Sequence, residues 1–176
     1  MIIKNIKRRI KEYFFVNPTK RLRVRHIERE VKVPLPSAVR YAKELEKEGI
    51  LKKTIVAGVS FYSADRGSKQ FLIEKRLFNL GRLFDSGLVA YLISSHNNPT
   101  IVVFGSCARG EDIETSDMDL YIETPKKIAP KLEKFEKLLQ RKIQVFNYKN
   151  IHEIKNKELA NNIVNGITLN GFLEVF

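Results

Sequence analysis

Residues 101–123 read IVVFGSCARGEDIETSDMDLYIE. The apolar run Ile101 to Phe104 stops at Gly105-Ser106. Ten residues, Cys107 to Ser116, separate that pair from Asp117-Met118-Asp119, and a second apolar run, Leu120 to Ile122, follows. β-Branched and aromatic residues bounded by glycine predict a buried strand. Gly105 lets the backbone approach a phosphate closely, and amides of the turn after it can donate to anionic oxygens. Asp117 and Asp119 are two apart, so on a strand both carboxylates leave the same face. Two carboxylates opposite a phosphate-holding turn can bind Mg²⁺ and place it on the phosphates of a nucleotide.

At these residues the chain resembles the DNA polymerase beta-like nucleotidyltransferase superfamily. It is most similar to the minimal members, which include kanamycin nucleotidyltransferases and the antitoxins paired with HEPN-domain toxins. The pattern Gly-Ser, ten residues, Asp-x-Asp is met without a gap, and Arg109-Gly110 and Ser116 stand where that family often carries them. The resemblance implies an α/β domain with a small mixed sheet. In it, Gly105, Ser106, Arg109 and Ser116 would bind the nucleotide, an NTP, while Asp117 and Asp119 would be the catalytic ligands of Mg²⁺. It also implies a third carboxylate on a later strand, beside the Asp pair. The strand expected there is Lys142 to Phe146, and Gln144 stands where the carboxylate belongs. An amide is neutral and cannot act as a base, so it is a poor substitute at a divalent cation. Glu123, at the end of the Asp-x-Asp strand, or a carboxylate from a partner would be the remaining sources. Glu111, Asp112 and Glu114 in the loop are expected to be solvated.

Charge divides the chain as motif does. Residues 1–70 hold 18 basic and 7 acidic side chains, net +11, whereas residues 71–176 hold 14 and 13, net +1. Nearly the whole excess of +12 therefore lies in the first part. Such asymmetry points to a polyanion-binding half joined to a near-neutral one.

The basic part has a readable order. Ile3, Ile6, Ile10 and Phe14 have amphipathic-helix spacing over Ile2 to Phe15, broken by Asn17-Pro18-Thr19. Val24, Ile27 and Val31 predict a second helix. After Pro34-Leu35-Pro36-Ser37, a third runs to about Lys47, with Val39, Ala42 and Leu45 inward and Gly49 ending it. Ile50 to Val56 and Val59 to Ser63, separated by Ala57-Gly58, read as a hairpin. Three helices and a hairpin resemble a winged helix-turn-helix domain, and Leu45-Glu46-Lys47-Glu48-Gly49-Ile50 resembles its helix-to-wing junction. That resemblance implies DNA binding, with Ser37, Arg40, Tyr41 and Glu44 offered to the major groove. Arg21, Arg23, Arg25, Lys52 and Lys53 would be phosphate contacts. Winged helices also serve as dimerisation or docking modules, so a homodimer is a second expectation.

Arg66-Gly67-Ser68 is expected to close this domain, giving a winged helix at 1–67, bridging helices at 68–96 and a nucleotidyltransferase domain at 97–176. The overall class is α+β. Gly81 and Gly87 are expected to interrupt the bridging helices, and His96-Asn97-Asn98-Pro99 to turn into the signature strand. Leu132 to Leu139 reads as a helix with Lys131, Lys134 and Lys137 in solvent. A last helix through Leu159, Ile163 and Val164 should stop at Gly166, before a short apolar end. The whole layout resembles archaeal two-domain nucleotidyltransferases.

Cys107 is the only cysteine, which excludes an intramolecular disulfide and fits a reducing cytoplasm. His26, His96 and His152 lack metal-ligand spacing. There is no P-loop glycine pattern, no long apolar span, and Met1-Ile2-Ile3 is too short to form a leader's apolar core. Two other functions stay open: a DNA-binding regulator whose second domain is a degenerate nucleotide sensor, and an antitoxin acting on a HEPN-type protein partner.

Overall fold

A computed structural model describes residues 5–125 and 129–176. Packing divides the chain into two units, one up to Phe78 and one from Asn79 onward. The division falls inside the stretch expected to bridge.

The first unit begins with α1 (Ile6–Val16), whose Asn5 side chain accepts from the Lys7 amide and caps it. Ile10, Phe14 and Phe15 form its buried face. The predicted first turn, Ile2 to Lys4, lies outside the described residues. Strand β1 (Arg21–Leu22) follows, then α2 (Val24–Val31), which ends where Lys32 turns left-handed. Helix α3 (Leu35–Lys47) starts with Pro36 in its first turn, where a missing N–H costs nothing. Ala38, Ala42 and Leu45 point inward; Val39, expected inward, is exposed. The 3.6-residue period puts Ala38 in line with Ala42, so its neighbour faces out. Strands β2 (Leu51–Val56) and β3 (Val59–Ala64) form the hairpin, with Ala57 and Gly58 both at positive φ as a tight two-residue turn requires. The sheet order is β1-β3-β2, all antiparallel. Helix α4 (Lys69–Asp85) begins in this unit, burying Phe71 in its core.

In the second unit, Gly81 sits within α4 without interrupting it, because one glycine weakens a helix by only ~1 kcal/mol. Gly87, left-handed, does separate α4 from α5 (Leu88–Ser95). Then come β4 (Thr100–Phe104), α6 (Gly105–Arg109), β5 (Met118–Glu123), α7 (Glu133–Leu139), β6 (Ile143–Tyr148), α8 (Lys157–Val164) and β7 (Ile167–Asn170). The expected apolar end is thus a strand. The sheet runs β6-β5-β4-β7 and is mixed, since β5 and β6 are parallel and the other pairs antiparallel. The parallel pair needs a crossover, and α7 provides it.

Period-2 alternation gives this sheet two cores. Ile101, Val103, Leu120 and Ile122 pack with Leu88 and Leu92 of α5 and with Phe135 and Leu139 of α7. Val102, Phe104 and Tyr121 pack on the other side with Ile151, Ile154 and Ile163. No helix among the described residues is long and apolar enough to cross a membrane.

Candidate active site

The site grows from the two central strands. Strand β4 ends at Phe104, whose register partner on β5 is Asp119. The chain then turns at Gly105, φ +69°, into α6. A Cβ at Gly105 would lie 2.5 Å from Asp119 Oδ2. Glycine therefore serves twice, for its conformation and for the space it leaves to the carboxylate. Ser106 follows, half-buried, and its carbonyl accepts from the Glu111 amide at 2.9 Å. The predicted phosphate turn and the second aspartate are thus direct neighbours.

Asp119 lies within β5, and Asp117 stands just before it, exposed. The amide of Met118 between them donates to the Lys142 carbonyl at 2.8 Å, which ties this pair to the start of β6. Burial raises the Asp119 carboxyl above its ordinary value, the Asp117 charge raises it further, and Arg109 pulls it back. Two carboxylates in mutual repulsion form a site that a cation would relieve.

The parallel register pairs Asp119 with Gln144. Asp119 shares its strand face with Tyr121, and Gln144 with Phe146, so both leave the sheet on the side of the Val102–Tyr121 core. Gln144 is exposed, beside Asp119. Glu123, the alternative carboxylate, is excluded from the pair by its place. It lies four residues further along β5 and accepts from the Tyr121 hydroxyl at 2.6 Å.

Other expected residues fall as follows. Arg109 is exposed and its Nε donates to Glu111 Oε2 at 2.7 Å. The Ser116 hydroxyl accepts from the Ile113 amide at 2.9 Å and closes a turn just before Asp117. Asp112 corrects the expectation of a solvated loop. It is 4% exposed, accepts from Asn79 Nδ2 at 2.7 Å and faces Arg141 Nη2 at 3.8 Å. Asn79 also donates to the Cys107 carbonyl at 3.0 Å. Nothing in sequence spacing links Asn79, Asp112 and Arg141, and only the fold brings them together. A cleft of about 510 Å³ opens beside Asp117, walled by Glu114 to Ser116 on one side and by Glu133, Lys137 and Gln140 on the other.

The nucleic-acid candidates all belong to the first unit. Arg23, Arg25, Lys52 and Lys53 are exposed. Arg23 lies over the Phe61 ring at 5.1 Å. Arg40 stacks on Tyr41 at 4.3 Å and donates to its hydroxyl, so these two act as one unit. Ser37 and Tyr41 are half-buried.

Among the described residues no three His, Cys, Asp or Glu side chains converge as a metal cluster. The available set is two carboxylates. Mg²⁺ is commonly held by one or two carboxylates with substrate phosphates completing the shell, so the pair fits one such ion.

In comparison with known families, residues 90–169 fit the family model of the nucleotidyltransferase domain. That span runs from α5 to β7 and contains Gly105, Asp117 and Asp119. No curated protein and no solved structure is significantly similar to the chain. The match supports nucleotidyl transfer as the activity class of this segment.

Proposed function

We propose, on the strength of that nucleotidyltransferase-domain match, that the second unit transfers a nucleoside monophosphate from an NTP to an acceptor hydroxyl: the acceptor oxygen attacks the α-phosphorus, the bond to the β-phosphate oxygen breaks, and pyrophosphate leaves. The observation that carries this reading is the contact of Gly105 with Asp119, which sets a phosphate turn against a carboxylate pair. Asp117 and Asp119 would hold Mg²⁺, which when bound neutralises phosphate charge and orients the triphosphate. Amides following Gly105 and the Ser106 hydroxyl bind the terminal phosphates, and Arg109 adds positive charge. The cleft beside Asp117 leaves room for the acceptor. Gln144 contributes no charge and accepts no proton, so the acceptor proton goes to Asp117 or Asp119 or to a carboxylate supplied by a partner.

Transfer from α-labelled NTP with Mg²⁺, alone and with lysate of the source organism, tests the reading. Asp119→Asn should lower labelling at least ~100-fold, beyond what loss of a partner around a metal ligand costs. Unchanged labelling in that variant would sink the assignment. No label from either protein would favour a regulator with a degenerate site.

A second reading concerns the first unit. Its order of three helices and a hairpin, with sheet order β1-β3-β2, together with net +11 over residues 1–70, favours a winged helix-turn-helix that binds nucleic acid. Arg23, Arg25, Lys52 and Lys53 supply phosphate contacts, and the α3 face carrying Ser37 and the Arg40–Tyr41 stack is offered to the bases. Charge reversal at Lys52 and Lys53 should abolish retardation of duplex DNA.

A further inference from the structure

The loop between α6 and Asp117 carries three acidic residues, Glu111, Asp112 and Glu114, and only Asp112 is buried. Taking a carboxylate out of water is expensive unless it is paired, and a well-packed apolar group would stabilise the same place as well or better. A buried ion pair here therefore calls for a reason other than stability. Its geometry provides one. Asp112 Oδ1 takes a hydrogen bond from Asn79 Nδ2 on α4, and the same amide group holds the Cys107 carbonyl, one residue beyond Ser106. Asp112 Oδ2 faces Arg141, both side chains 5% exposed. Arg141 precedes Lys142, whose carbonyl receives the amide of Met118 between the two aspartates. One buried carboxylate thus connects the residue after the phosphate turn with the residue that anchors the aspartate pair.

We infer that Asp112 is a positioning residue: with Asn79 and Arg141 it fixes the separation of the Gly105-Ser106 turn from Asp117 and Asp119. The inference rests on the cation–nucleotide reading of that site. Asp112 touches no ligand in this role. It holds the loop so that phosphate donors and carboxylates meet one bound nucleotide together. Misplacement by a fraction of an ångström at such a site costs far more binding than it costs fold.

The test is binding, followed by electron paramagnetic resonance of Mn²⁺ with a non-hydrolysable α,β-imido ATP on the full chain. Each variant is measured well below its melting temperature. Asp112→Asn should weaken Mn²⁺–nucleotide binding at least ~10-fold, the range expected for a group behind a metal ligand. Val89→Ala, which trims the core at α5, should lower the melting temperature yet bind as wild type does. Asn79→Ala should reproduce the binding loss while keeping the Asp112–Arg141 pair, and it carries the test if Asp112→Asn does not fold. Wild-type affinity in Asp112→Asn or Asn79→Ala overturns the inference. So does a loss in Val89→Ala that matches its loss of stability. Wild type that binds no Mn²⁺–nucleotide removes the underlying reading of Asp117 and Asp119, an outcome distinct from the other two.

Discussion

Gly105 shows how much one residue type can carry. Its φ of +69° disfavours a side chain, and the space that a Cβ would enter is held by the Asp119 carboxylate. Gly105→Ala should destabilise the second unit by ~1–3 kcal/mol, the usual cost of backbone strain at a functional turn, and displace Asp119. Thermal unfolding and Mn²⁺ titration of the same sample would show both effects. Asp119 makes a second prediction, with the opposite sign for stability. Burial, then the Asp117 charge, raise its carboxyl above the ordinary value in the folded state. Ionisation is therefore less favourable in the folded than in the unfolded chain, and stability declines as pH rises through this range. Metal-free Asp119→Asn should melt above wild type at pH 7, with the difference vanishing as pH falls well below ~3.9, the ordinary carboxyl value of aspartate. Melting curves with chelator at both pH values would check it. The glycine and the aspartate pair were legible in the sequence because their chemistry and spacing are local. Asp112 was not, because burial of a loop carboxylate depends on partners 33 residues before it and 29 after it in the chain.

Among the elements, those with a clear period were readable. Helices α2 and α3 follow from 3.6-residue spacing, and the β2–β3 hairpin from Ala57-Gly58 between β-branched residues. Strand β6 was readable from its apolar alternation, and its register sets Gln144 opposite Asp119. Two strands were missed. Strand β1 has two residues and exists because β3 offers it an edge; strand β7 reads locally as an apolar end and becomes a strand by pairing with β4. Between α8 and β7, Gly166 is packed so closely that a Cβ would lie 2.6 Å from both Val102 Cγ1 and the Val103 carbonyl. Half of that obstacle is backbone of the signature strand, which has little freedom to move. Gly166→Ala should cost ~1–3 kcal/mol as overpacking and lower the melting temperature of the second unit, by ~4–8 °C per kcal/mol. An unchanged melting curve would mean that α8 shifts freely on the sheet.

At the scale of the whole molecule, charge is the most uneven property: +11 over residues 1–70 against +1 over the rest. If Arg23, Arg25, Lys52 and Lys53 are the phosphate contacts, duplex DNA binding should show a log–log salt slope of about −3.6. A fourfold rise in salt would then weaken binding roughly 150-fold. Retardation assays at 50 and 200 mM salt would measure it, and salt-independent binding would leave the basic excess unexplained. The second unit is organised differently, around β5, which has a hydrogen-bonded strand on each side and a core on each face. Its residues include Asp119, so a group proposed to meet solvent and substrate is carried by the most enclosed strand of the sheet. Deuterium from solvent should reach the backbone amides of β5 last in this unit, at rates set by its complete opening rather than by local fraying. The time for which the carboxylate pair stays assembled is then the lifetime of the folded unit itself. Variants that speed unfolding would shorten it even where they lie far from either aspartate.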